Sequence, residues 1–368
     1  MGFFSMALLR WVKFSRWQQI SFCVLCVVTS RLILIIIGLL SLRLADMPVD
    51  ASSLFMHWDA LWYTAIVTEG YHLKDFTGQT NVNFFPLFPA LTWPLSLVLP
   101  AGFAGQIVAN VCFLLGCIVL HQFSEERFDS RIADYSVVSA CFFPGSFIFS
   151  ASAPESLFFL LIMLSFYQLS RSHWLLATIP AALLTITRSN GIFIVAPLVV
   201  EWLKRRSANP EGTGFKPLFY IFAIPLPLCA FMFYLFWHFT DAFAFVNTAI
   251  HFWGNRFDWH YLFLFQVDDI RAIMQKVIGL SMFLLFVSQA KHFTLAEITM
   301  VLLFYVLIGT TSASYFSLLR YLLPLYQIHQ ATGILAARGR VGAPLIGSLA
   351  ALNGLYMVFW VRDDTFFV

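Results

Sequence analysis

Asp59 and Tyr63 stand one helical turn apart in Met56-His57-Trp58-Asp59-Ala60-Leu61-Trp62-Tyr63-Thr64-Ala65-Ile66. Trp58, Trp62, Ala65 and Ile66 follow helical spacing, so the segment predicts an amphipathic helix seated in a membrane interface. Asp59 and Tyr63 share the next face. A carboxylate held beside a low-dielectric surface is where a pKa can rise into the range of a general base. A solvated interfacial acid is the competing reading. Gly70-Tyr71-His72 ends this helix. Asn83-Phe84-Phe85-Pro86-Leu87-Phe88-Pro89 then opens a second interfacial segment, its prolines pre-setting a helix start. The phenylalanines read as anchors, and Asn83 as a polar group available to a ligand.

Three further blocks carry charge into apolar surroundings. In Ser152-Ala153-Pro154-Glu155-Ser156-Leu157, Glu155 falls in the first turn of an apolar helix. The helix dipole favours an acid there, and a carboxylate at the membrane edge is also a site hypothesis. Thr187-Arg188-Ser189-Asn190-Gly191 interrupts a long apolar stretch. An arginine at membrane depth costs about 2.5–3.5 kcal/mol on insertion scales, so Arg188 needs an anionic partner. A carboxylate or a bound phosphate would serve, since the guanidinium fork matches both. Arg320, in Ser317-Leu318-Leu319-Arg320-Tyr321-Leu322-Leu323-Pro324, repeats that logic. Arg31, midway along the first span, is a third case, for which a structural ion pair is the competing reading. The loop from His251 to His260 mixes Trp253 and Trp259 with His, Asn and Asp, a composition suited to stacking and hydrogen-bonding a sugar or to interfacial anchoring. His57, His251 and His260 show no metal-ligand spacing.

The elements that position these residues follow from composition. The 368 residues are 60% hydrophobic and only 11% charged, with 42 phenylalanines, whereas a soluble domain carries about 25% charge. Such a chain needs lipid as its solvent. Apolar runs recur at 20–42, 103–122, 132–150, 154–170, 174–188, 190–203, 217–240, 270–290, 293–311, 316–335 and 343–360. The expectation is an all-α polytopic membrane protein with about 11 transmembrane helices. The first run, preceded by Arg10, Lys13 and Arg16, reads as a retained signal anchor. With the N-terminus in the cytoplasm, Arg127, Arg131, Arg171, Lys204, Arg205, Arg206, Lys216, Lys291, Arg338 and Arg340 all fall inside. Asp46, Asp50, Asp59, Glu69, Asp75, Glu155, Asp241, Asp258, Asp268 and Asp269 then fall outside. Reading 84–100 as a further span would reverse the later loops, so that Pro-rich stretch is expected to lie along the outer face. The whole of 1–368 reads as a single transmembrane module, with outer loops at 44–100 and 241–269. Six cysteines lie in apolar stretches. Cys23 and Cys26 read as small buried residues rather than a redox or zinc motif. No basic run suggests nucleic acid.

Taken in order, several blocks resemble the PIG-V family of GT-C membrane glycosyltransferases. They are His57-Trp58-Asp59-Ala60, Gly70-Tyr71, Phe84-Phe85-Pro86-Leu87-Phe88-Pro89, Pro154-Glu155-Ser156-Leu157-Phe158, Thr187-Arg188-Ser189-Asn190-Gly191 and Arg320-Tyr321-Leu322-Leu323-Pro324. His57 stands where the family commonly has a basic residue, often arginine, and Ala153-Pro154-Glu155 where it commonly has Tyr-Thr-Glu. The resemblance implies a GT-C helical module whose first outer loop carries the catalytic acid. It implies inverting transfer of a sugar, mannose in the eukaryotic pathway of GPI-anchor assembly, from a polyprenyl-phosphate carrier to a lipid or glycan acceptor. On that reading Asp59 is the base and Glu155 a second acid. His57, Trp58, Tyr63, Tyr71, Asn83, Arg188, Asn190, Trp253 and Arg320 contact donor or acceptor. No cofactor is required, because the lipid-linked sugar phosphate is itself a substrate; a divalent metal is left open. The expected location is a bacterial inner membrane, with the site facing the periplasm. A polytopic transporter or flippase of a lipid-linked or anionic substrate is the rival. Intramembrane arginines and a Gly-interrupted helix near residue 190 suit it, while the absence of clear repeats and the gathering of polar residues at one face do not.

Overall fold

The computed structural model describes residues 16–50, 53–75, 80–210, 212, 214–263, 270–311 and 317–362. Arg10, Lys13, Asp268 and Asp269 lie outside the described residues. The chain opens with α1 (Arg16–Leu44). Two short helices follow, α2 (Asp59–Glu69) and α3 (Leu87–Ser96). Then come α4 (Ala101–Arg127), α5 (Ser130–Phe142), α6 (Glu155–Ser170), α7 (Trp174–Leu184) and α8 (Val195–Ala208). The second half holds α9 (Lys216–Ala223), α10 (Leu226–Phe239), α11 (Ala244–His251), α12 (His260–Phe263), α13 (Ile270–Ser288), α14 (Leu295–Gly309), α15 (Leu318–Leu322), α16 (Tyr326–Ala336) and α17 (Gly342–Val361). Among the described residues the only extended pairings are two isolated bridges, Leu73 with Thr80 and Phe257 with Thr311.

Four helical stretches are long and apolar enough to cross a membrane: Arg16–Leu44, Ala101–Arg127, Lys216–Phe239 and Gly339–Val361. Shorter apolar helices, Glu155–Ser170, Trp174–Leu184, Gln275–Ser288 and Leu295–Gly309, pack with them. Four of the expected spans are interrupted, and 217–240 is one of them, broken at Ile224-Pro225 between α9 and α10. The run 132–150 ends as an α-helix at Phe142, passes Phe143-Pro144-Gly145, and resumes as a 3₁₀ turn over Ser146–Ser150. Proline removes a donor and Gly145 takes φ 89°, a conformation open to glycine. The run 190–203 begins as a 3₁₀ turn over Ser189–Ile194 before α8. The run 316–335 is split at Leu323-Pro324-Leu325 into α15 and α16. α3 has 10 residues, about 15 Å at 1.5 Å per residue. That is too short to cross the hydrocarbon core, as its prolines led one to expect.

A main apolar core runs through the bundle, with α16 against α5, α4 against α6 and α6 against α7. A smaller cluster, Val82, Phe85, Phe231, Leu235 and Ala244, ties the α2–α3 region to α10 and α11. Arg31 does not form the ion pair considered for it. It is 8% exposed and has no acidic partner among the described residues. Its Nη1 donates to the Ser146 carbonyl at 2.7 Å and the Ser150 hydroxyl at 3.1 Å, and Nη2 to the Cys141 carbonyl at 3.3 Å. The guanidinium lies 4.9 Å from the centre of the Phe113 ring. The break after α5 frees carbonyls that a continuous helix would have used, and Arg31 takes them. Asn353 of α17 grips the same break, its Oδ1 accepting the Gly145 N–H at 3.1 Å and its Nδ2 donating to Ser146 Oγ at 2.9 Å.

Gly191 shows how closely the chain folds back after α7. A Cβ there would stand 1.9 Å from the Leu184 carbonyl oxygen and 2.4 Å from its carbon. Both are backbone atoms that cannot rotate aside. Gly191→Ala is expected to cost about 1–3 kcal/mol through forced backbone displacement, read as a lower midpoint of thermal unfolding in detergent. An unchanged midpoint would mean that residues 184–191 open without penalty.

Candidate active site

Four charged residues from four separate elements meet at the end of the bundle that holds α2 and α3. Asp59 opens α2, Glu155 opens α6, Arg188 precedes the 3₁₀ turn after α7, and Arg320 sits in α15. The local sequence explains each placement. Trp58 adopts φ 55°, ψ −119° just before α2, a region that bulky side chains rarely occupy and that costs about 1–3 kcal/mol. The strain is held by the preceding loop. The His57 ring meets the Trp360 ring edge-on at 5.4 Å, and Trp360 Nε1 donates to the Leu54 carbonyl at 2.8 Å. Asp59 and Glu155 each stand in a first helical turn, where the dipole favours a carboxylate. Gly70 closes α2, its N–H reaching the Ile66 carbonyl.

Glu155 Oε1 accepts three hydrogen bonds: from Arg188 Nη1 at 2.6 Å, Arg320 Nη2 at 2.7 Å and Arg320 Nε at 3.2 Å. Arg320 Nη2 also donates to Asp59 Oδ2 at 2.5 Å. Glu155 is fully buried and both arginine side chains nearly so, whereas the Asp59 side chain is 22% exposed. Two carboxylates and two guanidiniums make the cluster neutral, which is how charge survives away from water. Glu155 Oε2 is buried with no partner. Arg188 is stacked 4.5 Å above the Tyr321 ring. The Glu155 carboxylate compensates the Arg188 cation for its burial. Tyr63 lies close enough to feel all four charges, and burial raises its phenol pKa, so it stays protonated.

An aromatic wall adjoins the cluster. Trp62 stacks on Phe84 at 5.7 Å, while Tyr63 meets Phe84 and Phe88 edge-on at 5.2 and 5.6 Å. Trp253 reaches Phe84 at 6.3 Å and Phe252 reaches Trp62 at 6.2 Å, so the second long loop folds onto α2. Trp253 Nε1 and Asn190 Oδ1 are buried without a partner. Tyr71 spends its hydroxyl on the Phe84 carbonyl at 2.7 Å, a bond that holds the loop. Asn83 is half-buried in the turn before α3, and no hydrogen bond ties it to the four charged groups. The asparagine that organises this loop is Asn81, which the sequence reading passed over. Its Oδ1 accepts the His72 N–H at 2.9 Å and its Nδ2 donates to the Gly70 carbonyl at 2.9 Å. Tyr321 was likewise missed, and its only signal was adjacency to Arg320. Beyond Tyr71 and Ile66 lies an apolar cavity of about 560 Å³, walled by Pro86, Pro89, Trp93, Ile186 and Phe231. The groove shares α2 with the charged cluster, through Ile66 and Val67, and the link after α7, through Ile186.

The cluster ranks its own members by burial. Glu155→Gln leaves the Arg188 guanidinium without its carboxylate and Arg320 with Asp59 alone, and is expected to destabilise the protein by about 3–5 kcal/mol. Asp59→Asn, at the partly exposed edge, is expected to cost far less. Thermal unfolding of both variants in detergent checks the ranking, and equal losses would mean that Glu155 does not carry the network.

No protein-family model matches the sequence, and comparison with curated proteins yields no match. Among solved structures, the chain is similar to ArnT from Cupriavidus metallidurans, a crystal structure bound to undecaprenyl phosphate. The TM-score is 0.55 and the identity 12%, over 92% of this chain and 76% of that one. It is also similar to an oligosaccharyltransferase from Archaeoglobus fulgidus, solved with zinc and sulfate, at TM-score 0.44 and 11% identity, over 91% of this chain and 53% of that one. The similarity to ArnT shows a shared all-helical fold.

Proposed function

We propose that this protein is an inverting membrane glycosyltransferase that moves a sugar from a polyprenyl-phosphate carrier to an acceptor hydroxyl. The observation that carries the reading is the neutral cluster of Asp59, Glu155, Arg188 and Arg320, which shares α2 with an apolar groove. The fold shared with a protein that binds undecaprenyl phosphate supports such a donor. The phosphate would meet Arg188 and Arg320, and the isoprenoid chain would enter the groove past Tyr71 and Ile186.

In the transfer, the acceptor oxygen bonds to the anomeric carbon while the bond from that carbon to the phosphate oxygen breaks. The acceptor proton passes to Asp59, and the electron pair leaves with the phosphate. The donor phosphodiester carries one negative charge and the departing polyprenyl phosphate two. Arginines beside it therefore stabilise the transition state more than the ground state. Arg320 holds Asp59 Oδ2 when no donor is bound. A donor phosphate competes for that guanidinium and releases Asp59 to act as base. Glu155 has one oxygen occupied by both arginines, so it sets their positions. Its unpartnered Oε2 is available to a substrate hydroxyl. On this reading a β-linked mannosyl donor gives an α-mannoside, and mannose follows from the PIG-V resemblance.

The arginine- and lysine-rich helix ends, at Arg127, Arg171, Lys204–Arg206 and Arg338, lie opposite Asp59. By the distribution of positive charge the catalytic end would face the periplasm. Asp59→Asn is expected to lower transfer from a radiolabelled lipid-linked sugar by roughly 10²–10⁴-fold, while donor capture and folding persist. Turnover close to that of the unaltered protein would remove Asp59 from the mechanism. Arg188→Ala is expected to weaken donor capture more than acceptor binding; unchanged donor affinity would leave Arg188 a structural ion. Lipid-linked sugar crossing reconstituted vesicles without product formation would favour a transporter instead.

A further inference from the structure

The end of the bundle opposite Asp59 carries a second cavity, of about 400 Å³, between the C-terminal ends of α4, α6 and α8 and the start of α14. Its inner wall is apolar, from Phe123, Phe166 and Leu169. Three arginine–glutamate pairs surround it: Arg127–Glu297 at 2.6 Å, Arg171–Glu126 at 2.6 Å and Arg205–Glu201 at 2.7 Å. None of these groups takes part in the sugar-transfer site.

The pairs differ in what they leave open. Glu126 accepts from Arg171, Tyr167 and Gln122 at Oε1 alone, which leaves Oε2 for another donor. Arg171 uses only Nη2 in that bond, and its guanidinium carbon lies 4.2 Å from the centre of the Tyr167 ring, so its Nε and Nη1 remain. Both side chains are about two-fifths exposed, at 40% and 43%. Deeper in, Glu201 gives Oε1 to Arg205 and its buried Oε2 has no partner. A buried carboxylate oxygen without a donor is costly unless something supplies one.

Guanidinium donors beside open carboxylate oxygens, at helix ends and over an apolar wall, suit a ligand with a phosphodiester next to a primary ammonium and attached acyl chains. We propose that this cavity binds the head group of an amine-bearing zwitterionic phospholipid. Phosphate oxygens accept from Arg171, and the ammonium donates to Glu126 Oε2 and Glu201 Oε2. An anionic head group would face three carboxylates with no cation to offer. A quaternary ammonium has no N–H to give.

The test uses the full-length protein in detergent, exposed to equimolar phosphatidylethanolamine, phosphatidylcholine and phosphatidylglycerol, with retained lipid read by native mass spectrometry. Phosphatidylethanolamine is expected to be retained roughly tenfold over either competitor, about 1.4 kcal/mol. Glu126→Gln should erase that preference, and Arg171→Gln should lower retention of all three lipids. Both side chains lie at the cavity mouth, and an unchanged thermal midpoint confirms that each variant folds. Equal retention by the unaltered protein and both variants would mean ordinary annular lipid and would overturn the proposal. A preference for phosphatidylglycerol would overturn it in favour of a simple anion site. Binding of soluble phosphoethanolamine without retention of the lipid would overturn the lipid source.

Discussion

Oε1 of Glu155 accepts hydrogen bonds from two arginines on two separate elements, and much of the geometry at that end of the bundle follows from doing this away from water. Neither guanidinium could sit there alone, because a buried uncompensated cation costs several kcal/mol. The start of α6, the link after α7 and the short α15 must therefore converge. Each is irregular where it converges: α6 starts after Pro154, the link is a 3₁₀ turn, and α15 is five residues long. Asp59 is the fourth charge, and it balances Arg320 from the one partly open side.

Arg31 and Arg320 show two solutions to the same problem. Arg320 is matched by carboxylates. Arg31 is matched by carbonyls and hydroxyls at a broken helix and by the face of Phe113. The first arrangement gathers opposite charges that a ligand can redistribute. The second has no opposite charge to exchange, so it fixes backbone. Arg31 and Asn353 hold the break that leads from α5 through Ser146–Ser150 to Glu155.

Much of this was legible in the sequence, for a definite reason. Charged residues in an 11% charged chain stand out, and each must find a partner, so Asp59, Glu155, Arg188 and Arg320 could be picked out before any contact was known. Gly70 as a helix end and the non-spanning 87–96 segment were legible because glycine and proline act through local backbone geometry. The broken spans were harder. Hydropathy is blind to whether an apolar run is one helix or two half-helices, and Pro144 and Pro324 were weighed only as members of apolar runs. Asn81 was passed over because its role rests on two backbone groups, at Gly70 and His72, and asparagine leaves no periodic trace of such bonds. Arg31's partners were misread because carbonyls freed by a break are invisible until the break is.

The interruption at Pro144-Gly145 has a bearing on biogenesis. A segment that exposes unsatisfied carbonyls within lipid is a poor passenger by itself. Arg31 belongs to the first helix of crossing length, which is synthesised earlier and can be waiting when α5 emerges, since chains generally fold from the N-terminus as they are made. Asn353, by contrast, arrives with α17. The interrupted segment would thus be received in two stages, by a guanidinium first and an amide later, and its final seating would be deferred until α17 has emerged.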